Sequence, residues 1–348
     1  VARPAVPIRR AAQAQVLREQ LAVLAEGLAV PLPPLGGRRG AGHEPRARER
    51  RRVRPAEAPR AQLIDARVVV RALEVARVEM HIRPDPTAAL SSGLRALPAL
   101  KLVHRALLAG IIQSRRLAVA SRDPEAVHDL RVAIRRTRAA LGQLRGVYPD
   151  DRRSVYRDEF GWLARTTGTA RDLDVFIAAL QRYRTEAPSR VARALEPLAV
   201  ELEQRRTGEQ ESISALLRSD RADRLLEEWA GFLETSPHMT SGPNAGRDAE
   251  ELVAERFEKA LARVRKRAGQ IERPPSARSV HRLRLAAKKA RYLIDLFEPL
   301  HPEAVRVPAA RSLRRLQSAL GDYHDAALQE ERVLRFSASL ASERGKAP

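Results

Sequence analysis

The sequence predicts an all-α protein built from two helical halves. Aromatic residues make up only 4% of the chain, and its abundant Ala, Leu, Glu and Arg favour helices over strands. From about Leu97 onward, apolar residues recur at helical spacing in segments broken by Pro, Gly and Asp signals. An alternating strand pattern is not found in the sequence. These observations together indicate helical bundles.

The helices are predicted in two sets, separated by a segment rich in Ser, Gly and Pro at 236–246. The first half, 95–235, holds helices near 97–120, 124–146, 150–167, 170–186, 188–218 and 221–235. The second half, 247–340, holds helices near 247–271, 277–298, 303–320 and 322–340. Residues 1–94 read as an Arg- and Pro-rich extension with a short helix near 9–29. The segment 236–246 is predicted to be a linker.

Charge and composition narrow the function classes. The 348 residues include 64 Lys and Arg against 43 Asp and Glu, a formal charge of +21, which favours a polyanionic partner. The absence of cysteine excludes disulfides, Cys-based metal sites and thiol nucleophiles. The sequence has no uninterrupted apolar stretch of the roughly 20 residues that a membrane-spanning helix needs. Charged residues interrupt the apolar run near the N-terminus, which does not fit a signal peptide. We therefore expect a soluble cytoplasmic protein that does not act at a membrane.

An internal repeat links the two halves at a constant offset of 153 residues. Segment 123–174 aligns without a gap on segment 276–327, with many identical residues. Asp123 and Ser276 are N-cap residue types in the same register, and proline follows both helices. The identities include Val127/Val280, His128/His281, Leu130/Leu283, Arg131/Arg284, Ala133/Ala286, Arg138/Arg291, Pro149/Pro302, Leu163/Leu316, Gly168/Gly321 and Asp172/Asp325.

One helix of each copy carries its basic residues on a single face. With His128 at zero and about 100° per residue, Arg131, Arg135 and Arg138 fall between about 280° and 340°. Apolar residues from Leu130 to Leu144 fall between about 160° and 240° and form the core face. The second copy repeats this pattern with His281, Arg284, Lys288 and Arg291. A row about 15 Å long suits a linear polyanion, because each neutralised phosphate releases counterions.

The helix that precedes the second copy carries a similar row. It consists of Arg256, Lys259, Arg263 and Lys266. The equivalent positions of the first half are uncharged, so this row is secondary evidence. Histidine changes charge near neutral pH, and we expect tighter polyanion binding at pH 6 than at pH 8 through His128 and His281.

The segments VHDLRVAIRRTRAAL and VHRLRLAAKKARYLIDLF resemble the two hallmark helices of the CHAD family, the conserved histidine α-helical domain. TTGTARDLDVF and LQSALGDYHDAAL resemble the segments that follow them, and the resemblance covers roughly 95–340. It implies two four-helix bundles related by a pseudo-two-fold axis, a basic cavity between them, and inorganic polyphosphate as the ligand. It also implies a location on polyphosphate granules. The implied contacts are His128, Arg131, Arg135, Arg136, Arg138, His281, Arg284, Lys288, Lys289 and Arg291.

Two other functions remain open. One is nucleic-acid binding, although single strands are usually held by aromatic stacking as well as charge and aromatics are scarce. The other is a metal-dependent hydrolase of polyphosphate or nucleotides, because His128-Asp129 and His324-Asp325 are similar to metal-binding pairs. Asp129 becomes Arg282 in the other copy, which disfavours a duplicated metal site. We therefore expect no catalytic residues, no metal and no cofactor, and we expect Asp172 and Asp325 to be structural.

Overall fold

The computed structural model describes residues 90–121, 124–272, 275–321 and 323. The predicted all-α class is confirmed, because the described residues form helices and no strand. The N-terminal extension as far as residue 89, Asp123, His324 and Asp325 lie outside the described residues, as does the side chain of Asp172. The helices are α1 (Ala96–Ala120), α2 (Pro124–Gln143), α3 (Asp150–Thr166), α4 (Gly168–Glu186), α5 (Ser189–Ala194), α6 (Glu196–Leu217), α7 (Asp220–Glu234), α8 (Pro237–Thr240), α9 (Ala249–Gly269), α10 (Ala277–Leu296) and α11 (303–321).

Short polar side chains begin several of these helices. The side chain of Asp248 accepts from the Glu251 N–H at 3.1 Å, and Ser276 accepts from the Ser279 N–H at 3.3 Å. Each bond satisfies one of the backbone donors that the first helical turn leaves without a partner. The predicted cap at Ser276 is thereby confirmed and fixes the start of α10.

The first half is a bundle in which α1, α2, α3 and α7 pack in a ring. Its core contains Trp229 and Phe160, both fully buried. The ring of Trp229 lies 5.0 Å from His104 of α1 and 4.6 Å from Tyr156 of α3, measured between centroids. Aromatic contacts therefore join α1, α3 and α7 of this bundle.

Helices α4 and α6 form an arm with its own small core. This core consists of Ile177, Leu180 and Leu202 and is separate from the main cluster. The helix predicted over 188–218 is wrong in one respect, because the chain breaks it at Leu195 into α5 and α6. Pro197 stands in the first turn of α6, where its missing N–H costs least, whereas it would interrupt a continuous helix.

The two halves share matched positions 153 residues apart. The helices begin at 96 and 249, at 124 and 277, and at 150 and 303. The Ala96 N–H donates to the Arg247 carbonyl, and the Ala249 N–H donates to the Leu94 carbonyl, both at 2.9 Å. This reciprocal pair joins the start of α1 to the start of α9. Across the same junction α1 packs against α9 and α2 against α10.

The connection between the halves is packed against the first half. Residues predicted as a linker at 236–246 include helix α8, and the Gly242 N–H donates to the Val147 carbonyl at 2.9 Å. A side chain at Gly242 would meet the Gly146 carbonyl oxygen at 2.5 Å, so only glycine allows this close approach. Gly146 has a φ of 79°, which ends α2 and turns the chain.

Helix α1 is the one helix of the described residues that is long and apolar enough to cross a membrane by length and composition. Within its most apolar window, 67% of the residues are buried inside the protein. It also packs against α2, α7 and α9. These contacts identify α1 as the central core helix of the domain.

Candidate functional site

The basic row of α2 is only partly open to solvent. Arg135 is exposed, whereas His128, Arg131, Arg136 and Arg138 are half-buried. The opposite face of the helix is in the core, where Leu130, Ile134 and Leu141 are buried. The helical spacing therefore places apolar and basic residues on the faces that the sequence predicted.

Arg131 has a structural contact in addition to its place in the row. Its guanidinium donates to the Ala164 carbonyl at 2.8 Å and to the Thr167 hydroxyl at 3.1 Å. These acceptors lie at the C-terminal end of α3, where carbonyl groups lack helical partners and a cation is favourable. Arg131 thus ties α2 to α3, which the sequence analysis did not foresee.

Arg138 lies in a cluster of arginines between α2 and α3. Its Nη2 and the Nη1 of Arg165 each lie 3.4 Å from the point that a Cβ at Gly161 would occupy. Burial lowers the pKa of the Arg138 guanidinium, and the charges of Arg157 and Arg165 lower it further, against an opposing effect of Asp158. The Nε of Arg138 is buried without a hydrogen-bond partner. Positive charge is therefore concentrated at this point.

The basic row of α10 is somewhat more exposed. His281 and Lys289 are exposed, and Arg284, Lys288 and Arg291 are half-buried. Arg291 is the equivalent of Arg138 but has different neighbours. Its Nε donates to Asp295 at 3.0 Å, and its Nη1 donates to the Gln317 side chain at 2.9 Å. The second half therefore neutralises the arginine that the first half leaves among other cations.

The two basic helices lie side by side. Besides their packing, the Gln143 side chain of α2 donates to the Lys289 carbonyl of α10 at 2.8 Å. With the histidine of each helix at zero, Gln143 falls at about 60° and Lys289 at about 80°. The seam between the helices is thus on one flank of each row, and both helices contribute to one core. Both rows consequently lie on the side of this helix pair that is turned away from the core.

The secondary row on α9 is divided among different environments. The Arg256 Nη2 donates to the Arg145 carbonyl at 3.5 Å, which brings it next to the end of α2. Lys259 is exposed and forms an ion pair with Glu255. Hydrogen bonds from Lys259 and then Arg247 lower the pKa of Glu255 to about 2. Arg263 and Lys266 are exposed, so Lys259 contributes less free positive charge than its neighbours.

The two histidines of the rows have opposite electrostatic surroundings. Ligand atoms of Glu125, His128 and Asp129 lie within 4.8 Å of one another, a group that could hold a cation. Their equivalents in α10 are Arg278, His281 and Arg282. The first-half group is thus not repeated, and carboxylates lie next to a histidine that was expected to meet an anion.

Sequence reasoning missed several residues that the fold brings to notable positions. Arg157 and Arg165 join the α2 row, and their spacing around Gly161 on α3 was the available signal. His104 is fully buried, with its Nδ1 3.0 Å from the Tyr148 hydroxyl, and burial lowers its pKa to about 3. A single histidine within an apolar helix gave no sequence signal for this pairing.

Comparison with known proteins matches these features to one family. The CHAD domain model matches residues 103–334. Two uncharacterized proteins of Mycobacterium tuberculosis, from strains CDC 1551 and H37Rv, are each 27% identical over 224 residues, which is 63% of this chain and 42% of theirs. The chain therefore spans less than half the length of these curated relatives.

One solved structure supports the fold. The crystal structure of the CHAD domain from the plant Ricinus communis superposes with a TM-score of 0.62 at 24% identity, covering 77% of this chain and 86% of that one. PptA from Streptomyces chartreusis gives a TM-score of 0.44 at 16% identity, covering 70% of this chain and 100% of that one, which is too low to bear on the fold. The family match over most of the helical region decides the assignment: the chain belongs to the CHAD domain family.

Proposed function

We propose that this protein binds inorganic polyphosphate, without catalysis, along the surface formed by the basic rows of α2 and α10. The observation that carries the proposal is the direct packing of these two helices, with exposed cations on each, at Arg135 and Lys289. Membership of the CHAD family, which is associated with polyphosphate, supports the choice of ligand. The proposed location is the cytoplasm, on polyphosphate granules.

The chemistry of the rows fits a flexible chain of phosphates. Arginine offers paired donors to phosphate oxygens and remains charged at every physiological pH, while lysine acts as a point charge. A polymer that contacts both rows neutralises several cations at once and releases counterions at each. Binding is therefore expected to weaken steeply with salt and to need no metal or cofactor.

Nucleic-acid binding is the first alternative. Stacking of bases needs accessible aromatic rings. Trp229, Tyr148 and Phe257 are buried, and the half-buried ring of Trp162 lies under the Arg221 guanidinium, which leaves Tyr183 as an exposed ring on α4. Competition separates the two ligands. Polyphosphate is expected to displace bound DNA or RNA at equal phosphate concentration, and failure to do so would favour the nucleic acid.

Metal-dependent hydrolysis is the second alternative. The group Glu125, His128 and Asp129 is the feature that favours it, but arginines replace both carboxylates at the equivalent positions of α10. An enzyme would release phosphate from polyphosphate when Mg²⁺ or Mn²⁺ is added. We expect no release above the rate without protein.

Charge reversal on the surface of the rows tests the proposal. The variant carries Arg135→Glu with Lys289→Glu, because both side chains are exposed and neither is expected to hold the fold. A control with the same charge change carries Arg182→Glu and Arg190→Glu on exposed sites of α4 and α5. A polyphosphate binding isotherm should show a loss of at least tenfold for the first variant beyond that of the control. Equal losses would overturn the proposed surface.

A further inference from the structure

We propose that Arg138, Arg157 and Arg165 form a phosphoryl-binding subsite around Gly161, present in the first half only. The inference rests on the proposed function and deepens it, since it adds two arginines of α3 to the polyphosphate surface. It also names the phosphoryl group as the chemical unit that the subsite receives.

Guanidinium groups from α2 and α3 lie close to Gly161. One guanidinium nitrogen from α2 and one from α3 lie at the same distance, 3.4 Å, from the position that a side chain at Gly161 would enter. The two nitrogens therefore lie within twice that distance of each other. Arg157 stands four residues before Gly161 and Arg165 four residues after it, so all three lie on one face of α3. Glycine leaves this face open between the arginines.

Compensating charge near the three arginines is limited, because the effect of Asp158 on the pKa of Arg138 is smaller than the opposing effects of Arg157 and Arg165. The described part of the chain shows no ion pair for Arg138, Arg157 or Arg165, while Arg153 on the same helix face pairs with Asp150 at 2.8 Å. The buried Nε of Arg138 has no acceptor among the residues that the structure describes. A buried polar group without a partner is costly, and like charges held together repel. An oxyanion between the arginines would offset both costs.

The second half lacks arginines at the positions equivalent to Arg157 and Arg165. The equivalents of Arg157, Gly161 and Arg165 are Ala310, Arg314 and Ser318. There Arg291 is already bound by Asp295 and Gln317, and Arg314 is exposed, with its Nε donating to the Ala310 carbonyl at 3.2 Å. The charge cluster is therefore a property of this half and not of every basic helix in the protein.

A tetrahedral phosphoryl group suits such a site. Its oxygens accept from several guanidinium groups at once, and each charge-assisted bond is shorter and stronger than a neutral one. Because the subsite adjoins the α2 row through Arg138, a chain held along α2 can place one of its phosphoryl groups here. The subsite would then fix the lateral position of the polymer toward α3.

The test uses long-chain polyphosphate and the full chain. Arg157→Gln with Arg165→Gln should weaken binding about tenfold and lower the slope of log affinity against log salt by about one for each lost contact. The control is Arg152→Gln, on the opposite side of α3 from Gly161 and 65% exposed in its side chain. A second variant, Gly161→Leu, fills the subsite without changing charge and should also weaken binding. Thermal unfolding checks that each variant is folded.

The outcomes separate the two proposals. Wild-type protein that binds polyphosphate, together with glutamine and leucine variants that match the Arg152→Gln control, would overturn the subsite and leave the proposed function standing. Wild-type protein that fails to bind polyphosphate would overturn both. Weaker binding by both subsite variants, with the control unchanged, supports the subsite.

Discussion

The two basic helices occupy equivalent positions but distribute their charge in opposite ways. On α2, carboxylates adjoin His128 at the N-terminal end, and the charges of Arg157 and Arg165 outweigh that of Asp158 around Arg138 nearer the C-terminal end. On α10, Arg278 and Arg282 flank His281, and Asp295 neutralises Arg291. A basic pattern in the sequence therefore does not predict how much positive charge a helix presents to a ligand, because nearby side chains from other positions pair with some of its cations.

The cores of the two halves also differ at equivalent positions. The ring pair His104 and Tyr148 of the first half corresponds to Phe257 and His301 in the second, with centroid distances of 5.6 Å and 5.3 Å. The histidine has exchanged places with its partner between the two halves. Burial lowers the pKa of both histidines and so favours a neutral imidazole in the core of each half.

The largest expected effect concerns stability in acid. The pKa of His104 in the folded protein, about 3, is below that of an unfolded histidine, about 6.5. As the pH falls below about 6.5, the unfolded state binds a proton at His104 that the folded state does not bind. The free energy of unfolding therefore falls by about 1.4 kcal/mol per pH unit. The variant His104→Phe with Tyr148→Phe removes the titratable imidazole. The second substitution also removes the tyrosine hydroxyl, which would otherwise be left buried without a partner.

Chemical denaturation of wild type and this double variant at several pH values between 7 and 4 measures the effect. The free energy of unfolding of wild type should fall more steeply, whereas the variant should retain only the slope due to His301 and the acidic residues. Parallel slopes for the two proteins would show that His104 is not a buried neutral group.

The second effect compares equivalent arginines. Arg138→Gln should weaken polyphosphate binding about tenfold while leaving thermal stability unchanged or raised, because it relieves repulsion and a buried unpaired donor. Arg291→Gln should change binding less and lower stability by about 1 kcal/mol or less, since its ion pair is partly exposed. Isotherms and melting curves of both variants give the result. Equal losses of affinity would remove the distinction between the halves.

The smallest expected effect on polyphosphate affinity comes from exchanging the residues at the equivalent positions 142 and 295. Asp295 stands four residues after Arg291, and the equivalent position after Arg138 is Gly142, which has open space around it. Gly142→Asp should neutralise Arg138 and weaken binding about threefold, and Asp295→Gly should free Arg291 and strengthen it by a similar factor. If both changes act in the same direction, the local pairing does not control affinity.

Helix identity was largely predictable from the sequence. The starts near 124, 150, 277 and 303 were marked by Pro, Asp and Ser at the helix ends, and these signals act locally. The break at Leu195 was missed because Pro197 is compatible with a first turn as well as with a kink. A pattern of period 3.6 continued on both sides and concealed it.

The candidate site was less predictable. The faces of α2 and α10 follow from helical geometry alone, and the apolar face opposite each row is buried. The partners of each side chain depend on tertiary packing: Arg131 bonds to the end of α3, and Arg138 meets Arg165 across Gly161. Local spacing contains no information on which helix lies alongside, so these contacts appear only in the fold.

The most direct measurement is lysine footprinting, because the chain contains only six lysines. Acetylation of Lys289, exposed beside α2, is compared with and without long-chain polyphosphate. Polyphosphate bound along α2 and α10 should strongly slow the modification of Lys289. Equal modification of Lys289 with and without saturating polyphosphate would contradict binding along α2 and α10.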